Sequence, residues 1–297
     1  MAGTRQIQQR HKAVANICKV TRTMEMISTS RYRRYLDNWR NRQQFDDALA
    51  QLAYLILTSE KTIKHPLMED NNSGNIAILV LGSNRGLCGG YNNKINHLVD
   101  VHIKRAKRLR KQLKVYAAGK KAVSYLNSRK IPIVKEYTDF DEIPTPEQID
   151  KIADGFIEQY EKQQIDYFGV VYTRFFSLAS RQAQTFALLP VADLIDDLTT
   201  KATAIWPWRV SPAEFELTPG ITDMFDSLIK MMIRSGLSSC FVDSALSEHL
   251  SRVIAMRSAT ENAENMLKLL TSQYNRARQG QITGELMDIV GGVEAMK

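Results

Sequence analysis

Cysteine, proline and glycine are scarce here: three, eight and fifteen of them are spread over 297 residues. Cys18, Cys88 and Cys240 lie far apart and form no CxxC pair, which argues against a disulfide scaffold or a zinc site and suits a reducing compartment. No stretch approaches the roughly 18 consecutive apolar residues that a membrane-spanning helix needs. The opening segment "MAGTRQIQQRHK" is charged where a secretory signal would be apolar. The chain is therefore expected to be soluble, or held at a membrane only through other proteins. Between residues 4 and 65 there is neither glycine nor proline, which leaves room for about 60 residues of unbroken helix. After Pro219 and Gly220 no proline follows, and only Gly236 interrupts before Gly280.

The signatures of nucleotide and metal chemistry are absent too. A Walker loop needs a lysine and a hydroxyl after its last glycine to hold phosphate and magnesium, and no glycine here is followed by that pair. The dinucleotide fingerprint GxGxxG is missing. What remains is "GSNRGLCGGYNN", where an apolar strand runs into a loop bearing Gly86, Gly89 and Gly90. Its amides could meet an anion, so a phosphate- or nucleotide-binding α/β protein stays open as the alternative. The other reading gives the glycines a geometric role, allowing positive φ and close strand–helix packing. Cys88 has no base assignable to it and reads as a buried structural thiol. His97 and His102 are not at the i,i+4 spacing of a helical metal pair, and the carboxylates of "DLIDD" lack the spacing of a calcium loop. No catalytic residue, cofactor or metal is expected.

Charge and periodicity are what the chain does have. Arg5, Arg10, Lys12, Lys19, Arg22, Arg31, Arg33, Arg34, Arg40 and Arg42 stand against Glu25 and Asp37, an excess that matches the whole chain's net charge of +8. Such a block faces solvent or an acidic partner. A second basic run, "HIKRAKRLRKQLK", has helical spacing, and neither run is interleaved with the aromatics that a single-strand nucleic-acid binder uses. Ala13, Ile17, Val20, Met24 and Ile27 step by fours and threes, as a coiled-coil seam does. Beyond them the seam positions become Arg31 and Arg34, which a two-stranded core could not bury cheaply. Near the other end Leu246, Leu250, Val253, Met256, Thr260, Ala263, Leu267, Leu270, Tyr274 and Ala277 repeat the pattern. Between the two, short β-branched runs alternate with helical stretches, the mark of an open α/β sheet. In "PTPEQ", Thr145 is expected to cap a helix that starts at Pro146. The expected fold class is α/β: a long antiparallel coiled coil of N-terminal (1–66) and C-terminal (219–297) helices, with a Rossmann-like α/β domain (74–218) inserted.

Three blocks carry a family resemblance: "NICKVTRTMEMISTSRYRR" at 16–34, "GSNRGLCGGYN" at 82–92, and "SEHLSRVIAMRSATENAENM" leading to "YNRARQGQITGELMDIVGG" across 247–292. In order, spacing and overall length they resemble the F-type ATP synthase gamma subunit. The resemblance implies a non-catalytic central rotor shaft that couples proton or sodium flow to ATP synthesis or hydrolysis. Its implied partners are the hexamer of alpha and beta subunits, the epsilon subunit and the membrane-embedded c-ring. It implies no nucleic acid, membrane association only through the complex, and a peripheral place on the cytoplasmic face of a bacterial inner membrane. By position, Met24, Arg31, Arg33 and Arg34 match the part of the first helix that faces the acidic lever of beta subunits. Arg252, Arg278, Gln279, Thr283 and Glu285 match polar positions tied to coupling and beta contact. Phe215 and Glu216 resemble a foot contact to the c-ring. Arg85, Gly86, Gly89, Gly90 and Asn92 belong to the structural loop, with Arg85 and Asn92 expected to dock that turn on the long helices. Gly280 stands where the family commonly has alanine, which at about 1 kcal/mol of helix propensity softens the shaft near its tip.

Overall fold

The computed structural model describes residues 2–59, 65–191 and 221–294. The elements follow in the order α1 (Ala2–Ser59), β1 (Asn75–Leu81), α2 (Tyr91–Arg108), β2 (Gln112–Ala118), α3 (Lys120–Ser128), β3 (Ile133–Tyr137), α4 (Pro146–Glu161), β4 (Tyr167–Phe175), β5 (Arg181–Leu189) and α5 (Ile221–Glu294). The helices at the two ends hold 58 and 74 residues, in the stretches where helix breakers are missing or sparse. Residues 192–220, which hold Trp206, Trp208 and the "DLIDD" carboxylates, lie outside the described residues. Two compact units divide the chain: Met1–Ser30 with Arg252–Lys297, and Arg31–Ser251.

Within the first unit α1 and α5 run antiparallel. The Thr4 hydroxyl lies 3.5 Å from Gln281 Oε1, His11 Nε2 is 3.3 Å from Thr271 Oγ1, and the Thr260 hydroxyl donates to Thr21 Oγ1 at 2.8 Å. Arg22 pairs with Glu264. On α5 the seam residues Met256, Thr260, Ala263 and Leu270 are buried. On α1 the seam is not the one its hydrophobes suggest. Ile17, Val20 and Ile27 are 54%, 57% and 50% exposed, and Ala13 is exposed as well, while Cys18, Thr21 and Ser28 are buried. The inward stripe is displaced by one residue, onto small polar side chains. Small residues let two helices approach closely, and the pairing of Thr21 with Thr260 satisfies both hydroxyls there.

In the second unit a five-stranded sheet has the order β3-β2-β1-β4-β5. The first four strands are parallel, and β5 closes antiparallel against β4. Buried strands alternate their side chains between two layers, as a period of two dictates. Ala77, Leu79 and Leu81 of β1 face a core with Phe156 and Tyr160 of α4, Leu49 and Ala53 of α1, and Phe225, Ile229, Ile233 and Leu237 of α5. Ile78 and Val80 face Tyr91, Ile95 and Val99 of α2 and Ala122 and Leu126 of α3. The helix α4 begins as its sequence requires: Thr145 caps it in a capping box with Gln148, and Pro146 sits in the first turn.

Three helices end the same way at the edge of the sheet where the parallel strands begin. Arg110, Lys130 and Gln163 adopt left-handed φ of 54°, 55° and 54°. In each case the next amide reaches back five residues, as from Lys111 to Ala106, Ile131 to Leu126 and Gln164 to Gln159. These are Schellman motifs with a side chain where glycine is favoured. Gln163→Gly should therefore raise stability by about 0.5–1 kcal/mol, less than the full left-handed penalty because glycine also frees the unfolded chain. A thermal melt followed by circular dichroism should rise by a few degrees; an unchanged or lower midpoint would contradict it. At the same sheet edge Asp166 accepts from the Ser73 hydroxyl at 2.6 Å and from Lys111 Nζ at 2.8 Å. Burial pushes its carboxyl pKa up, but these donors outweigh burial and hold it below the usual range.

Candidate functional site

Of the basic residues on α1, Arg31 opens the second unit and finds an acid within the chain. Arg31 Nη1 donates to Glu142, which stands in the loop between β3 and α4. The Tyr35 hydroxyl donates to the other oxygen of the same carboxylate. His249 of α5, 2% exposed, stacks on Tyr35 with ring centroids 5.4 Å apart. Its Nε2 lies 3.1 Å from Glu142 Oε2, at ion-pair distance but without hydrogen-bond alignment. Burial pushes the Glu142 pKa up, yet His249, Tyr35 and the Arg31 charge together hold it at about 2. Sequence reasoning named Arg31 and missed the other three. Arg31 and Tyr35 stand at i,i+4 on α1, but nothing in local spacing joins them to Glu142 or His249. Arg33 and Arg34 are exposed, the Arg34 guanidinium lying 5.4 Å from the centre of the Tyr35 ring.

The remaining positions that the resemblance ties to coupling and beta contact lie in the first unit. Met24 is half-buried and Arg252 is 4% exposed, whereas Arg278, Gln279, Thr283 and Glu285 are exposed. Along that surface the Thr283 hydroxyl donates to Gln279 O at 2.9 Å, and Gln281 Nε2 donates to Glu285 Oε1 at 2.9 Å. Ile282, Leu286, Met287, Ile289 and Val290 are exposed along the same end of α5. Sequence reasoning overlooked this apolar run, although its density was visible. Phe215 and Glu216 lie outside the described residues.

The glycine loop is closed in part by Asn92, which was expected to dock on the long helices. Asn92 does not reach a long helix; its Oδ1 accepts from Ser83 N at 3.1 Å, and its Nδ2 donates to Ser83 Oγ at 2.8 Å and to Cys88 Sγ at 3.2 Å. The contact with α5 comes from Tyr91, whose hydroxyl is 2.6 Å from Ser244 Oγ. Arg85 lends its carbonyl to the Ser83 hydroxyl at 2.8 Å. Cys88 is buried with a free thiol. Asn84 links outward, donating from Nδ2 to the carbonyls of Phe140 and Asp141 and accepting from Lys120 N at 3.0 Å. Of the three glycines picked from sequence only Gly89 has positive φ, 58°. A Cβ at Gly90 would meet nothing within 4 Å, and one at Gly86 only the Lys121 side chain at 3.8 Å. The sterically required pair is Gly82 with Gly119. A Cβ on Gly119, φ 92°, would stand 2.1 Å from Gly82 O, and one on Gly82 would stand 2.7 Å from Ala122 Cβ. The loop thus joins β1, α2, α3 and the β3–α4 segment into one packed corner.

A family model described as ATP synthase matches residues 3–296. The ATP synthase gamma chain of Rhodopirellula baltica is 36% identical over 298 residues, covering all of both chains. The chain belongs to the ATP synthase gamma family. The gamma chain of Leptospira biflexa, strain Patoc 1, is 32% identical, again over the full length of both. Among solved structures, a chain of the Euglena gracilis mitochondrial ATP synthase, in an assembly titled OSCP/F1/c-ring, aligns with a TM-score of 0.66 at 17% identity, covering 99% of this chain and 95% of that one. A chain from the central stalk and c-ring of Tetrahymena thermophila mitochondrial ATP synthase aligns with a TM-score of 0.56 at 20% identity, covering 81% and 99%. As a gamma chain, the protein is the non-catalytic rotor subunit of the central stalk, and nucleotide chemistry belongs to the beta subunits. That reading prevails over the nucleotide-binding alternative. Among the described residues of this gamma chain, no helix is long and apolar enough to cross a membrane.

Proposed function

We propose that this gamma chain works as an antiparallel coiled-coil shaft, residues 1–66 and 219–297, carrying a Rossmann-like foot at 74–218. It turns within a hexamer of alpha and beta subunits and stands with an epsilon subunit on the c-ring, at the cytoplasmic face of a bacterial inner membrane. The observation that carries the reading is the unspent surface of the long helices. Ile17, Val20 and Ile27 of α1 point away from the helix that pairs with it, as do Ile282, Leu286 and Met287 at the end of α5. Exposed apolar stripes on an otherwise polar helix are what a surrounding sleeve would cover.

In this reading Met24, Arg31, Arg33 and Arg34 form the collar toward the beta lever. Arg31, tied to Glu142, holds the collar in register, while the exposed Arg33 and Arg34 reach outward. Arg252, Arg278, Gln279, Thr283 and Glu285 meet the hexamer along α5, and Phe215 with Glu216 meets the c-ring. Arg85, Gly86, Gly89, Gly90 and Asn92 keep a structural role in the foot. Exposed ion pairs contribute about 0.2–1 kcal/mol each, enough to guide a rotor and too little to stall it.

The test is reconstitution with alpha and beta subunits. Arg33→Glu with Arg34→Glu should leave the isolated chain folded and lower coupled turnover about tenfold, since two reversed charges at a lever amount to about 1–2 kcal/mol. Recovery of the wild-type chain as a lone species when all subunits are co-expressed would count against the shaft. Unchanged turnover in the double variant would remove these two arginines from the collar.

A further inference from the structure

A cavity of about 250 Å³ opens within the second unit, between α1, the β4–β5 hairpin and α5, with Trp39, Arg42, Tyr172, Arg174, Cys240 and Asp243 in its walls. Asp243 is 8% exposed, and its hydrogen-bond donors are neutral. The Trp39 indole N–H donates to Oδ1 at 2.8 Å, and the Phe175 backbone amide donates as well. Two cations line the cavity, and neither forms an ion pair with Asp243 among the described residues. Arg42 is engaged elsewhere: Nε donates to Ser239 Oγ at 2.8 Å, and Nη2 to Ser235 O and Oγ at 2.8 and 2.9 Å. Those serines donate in turn to the Asp46 carboxylate, at 2.6 and 2.8 Å. The Arg174 guanidinium instead lies 5.1 Å from the centre of the Phe176 ring at the hairpin's turn. A buried carboxyl with only neutral donors is costly to ionise, and a guanidinium with no acceptor is free to move toward it.

We propose that Asp243 and Arg174 form a pH-responsive clasp between α5 and the β4–β5 hairpin. With Asp243 protonated, Arg174 stays on Phe176 and the cavity stays open. On ionisation the carboxylate draws Arg174 off the ring and into the cavity, closing an ion pair between strand and helix while the Trp39 hydrogen bond strengthens. The groups facing Asp243 are Arg42, Asp46 and Asp47 from α1, Tyr172 and Arg174 from β4, and Cys240 on its own helix. Burial pushes the Asp243 carboxyl up to about 7, and Asp46 adds to the rise against the opposing pull of Trp39 and Arg174. Burial also drives the Cys240 thiol and the Tyr172 hydroxyl upward, out of the neutral range. One proton then distinguishes the two forms.

The chain's three tryptophans include Trp39, so Trp206→Phe with Trp208→Phe in the full-length protein leaves Trp39 as the only indole reporter. Its emission between pH 5 and 9 should change in a single step with a midpoint near 7. Asp243→Asn should abolish that step. Arg174→Gln, which keeps the carboxyl, should move the midpoint upward by as much as about one unit through the lost charge. Far-ultraviolet circular dichroism on each variant establishes that it is folded, and Arg174→Gln carries the test alone should Asp243→Asn fail to fold. Emission that does not vary with pH overturns the clasp, as does a step that persists in Asp243→Asn or a midpoint unmoved by Arg174→Gln.

Discussion

Gly119→Ala is expected to unfold the α/β unit at temperatures where the wild-type chain is stable. The added methyl would stand 2.1 Å from Gly82 O and 2.8 Å from Gly82 C, and both are backbone atoms with no rotamer to yield. Gly82 cannot back away cheaply, because its amide donates to Ala118 O at 2.8 Å and its own Cα faces Ala122. The backbone at Gly119, φ 92° and ψ 137°, adds about 1–3 kcal/mol of strain for any side chain. Strain and displacement together reach about 4 kcal/mol or more, a large share of the roughly 5–15 kcal/mol that holds a domain together. Gly90→Ala meets open space and Gly86→Ala only the far end of the Lys121 side chain at 3.8 Å, both at ordinary φ, and each should cost less than about 1 kcal/mol. Urea denaturation of the three variants separates the cases. A Gly119→Ala protein as stable as Gly90→Ala would refute the close crossing of β1 and the β2–α3 turn.

That contrast marks where the sequence could be read and where it could not. The loop's glycines caught attention because three of them are crowded within five residues, but the pair that sterics demands is Gly82 and Gly119, just past the ends of two different strands. Crowding is local, whereas close approach of two backbones is a property of the fold. The same split runs through α1. Its length was legible from the missing breakers, and the Thr145 cap from its dipeptide with proline, since both depend on neighbours in sequence. Its seam was read one residue out of place. Periodicity finds the most apolar stripe, and here that stripe, Ile17, Val20 and Ile27, stays exposed while Cys18, Thr21 and Ser28 face the antiparallel helix. A pattern search assumes that hydrophobes are spent inside their own chain, and a subunit of a larger assembly breaks that assumption. Arg31 illustrates the reverse case. Its position in the seam implied an acidic partner, and the acid is Glu142, more than a hundred residues away and invisible to any spacing rule.

Glu142→Ala should cost about 3 kcal/mol, because it leaves the buried Tyr35 hydroxyl without its acceptor and Arg31 unpaired beside the buried His249 ring. The loss should fall on the β3–α4 loop and its contact with α1 and α5. There Ile143 packs against the cluster of Tyr35, Phe175, Leu246 and Leu250. Hydrogen exchange of residues 139–145 should quicken in the variant while β1 and β4 keep their protection. The pH dependence has a definite sign. The folded-state pKa of Glu142, at about 2, lies below its ordinary value of 4.5. A carboxylate depressed in this way adds stability that is fully present above about pH 4.5 and is lost as pH falls toward 2. The gap corresponds to about 3 kcal/mol at 1.36 kcal/mol per unit, in line with the mutational cost. Denaturation curves from pH 7 down to pH 2 should therefore converge for the wild-type chain and Glu142→Gln, with the separation largest at neutral pH. Parallel curves across that range would mean that Glu142 is held by its shape and not by its charge.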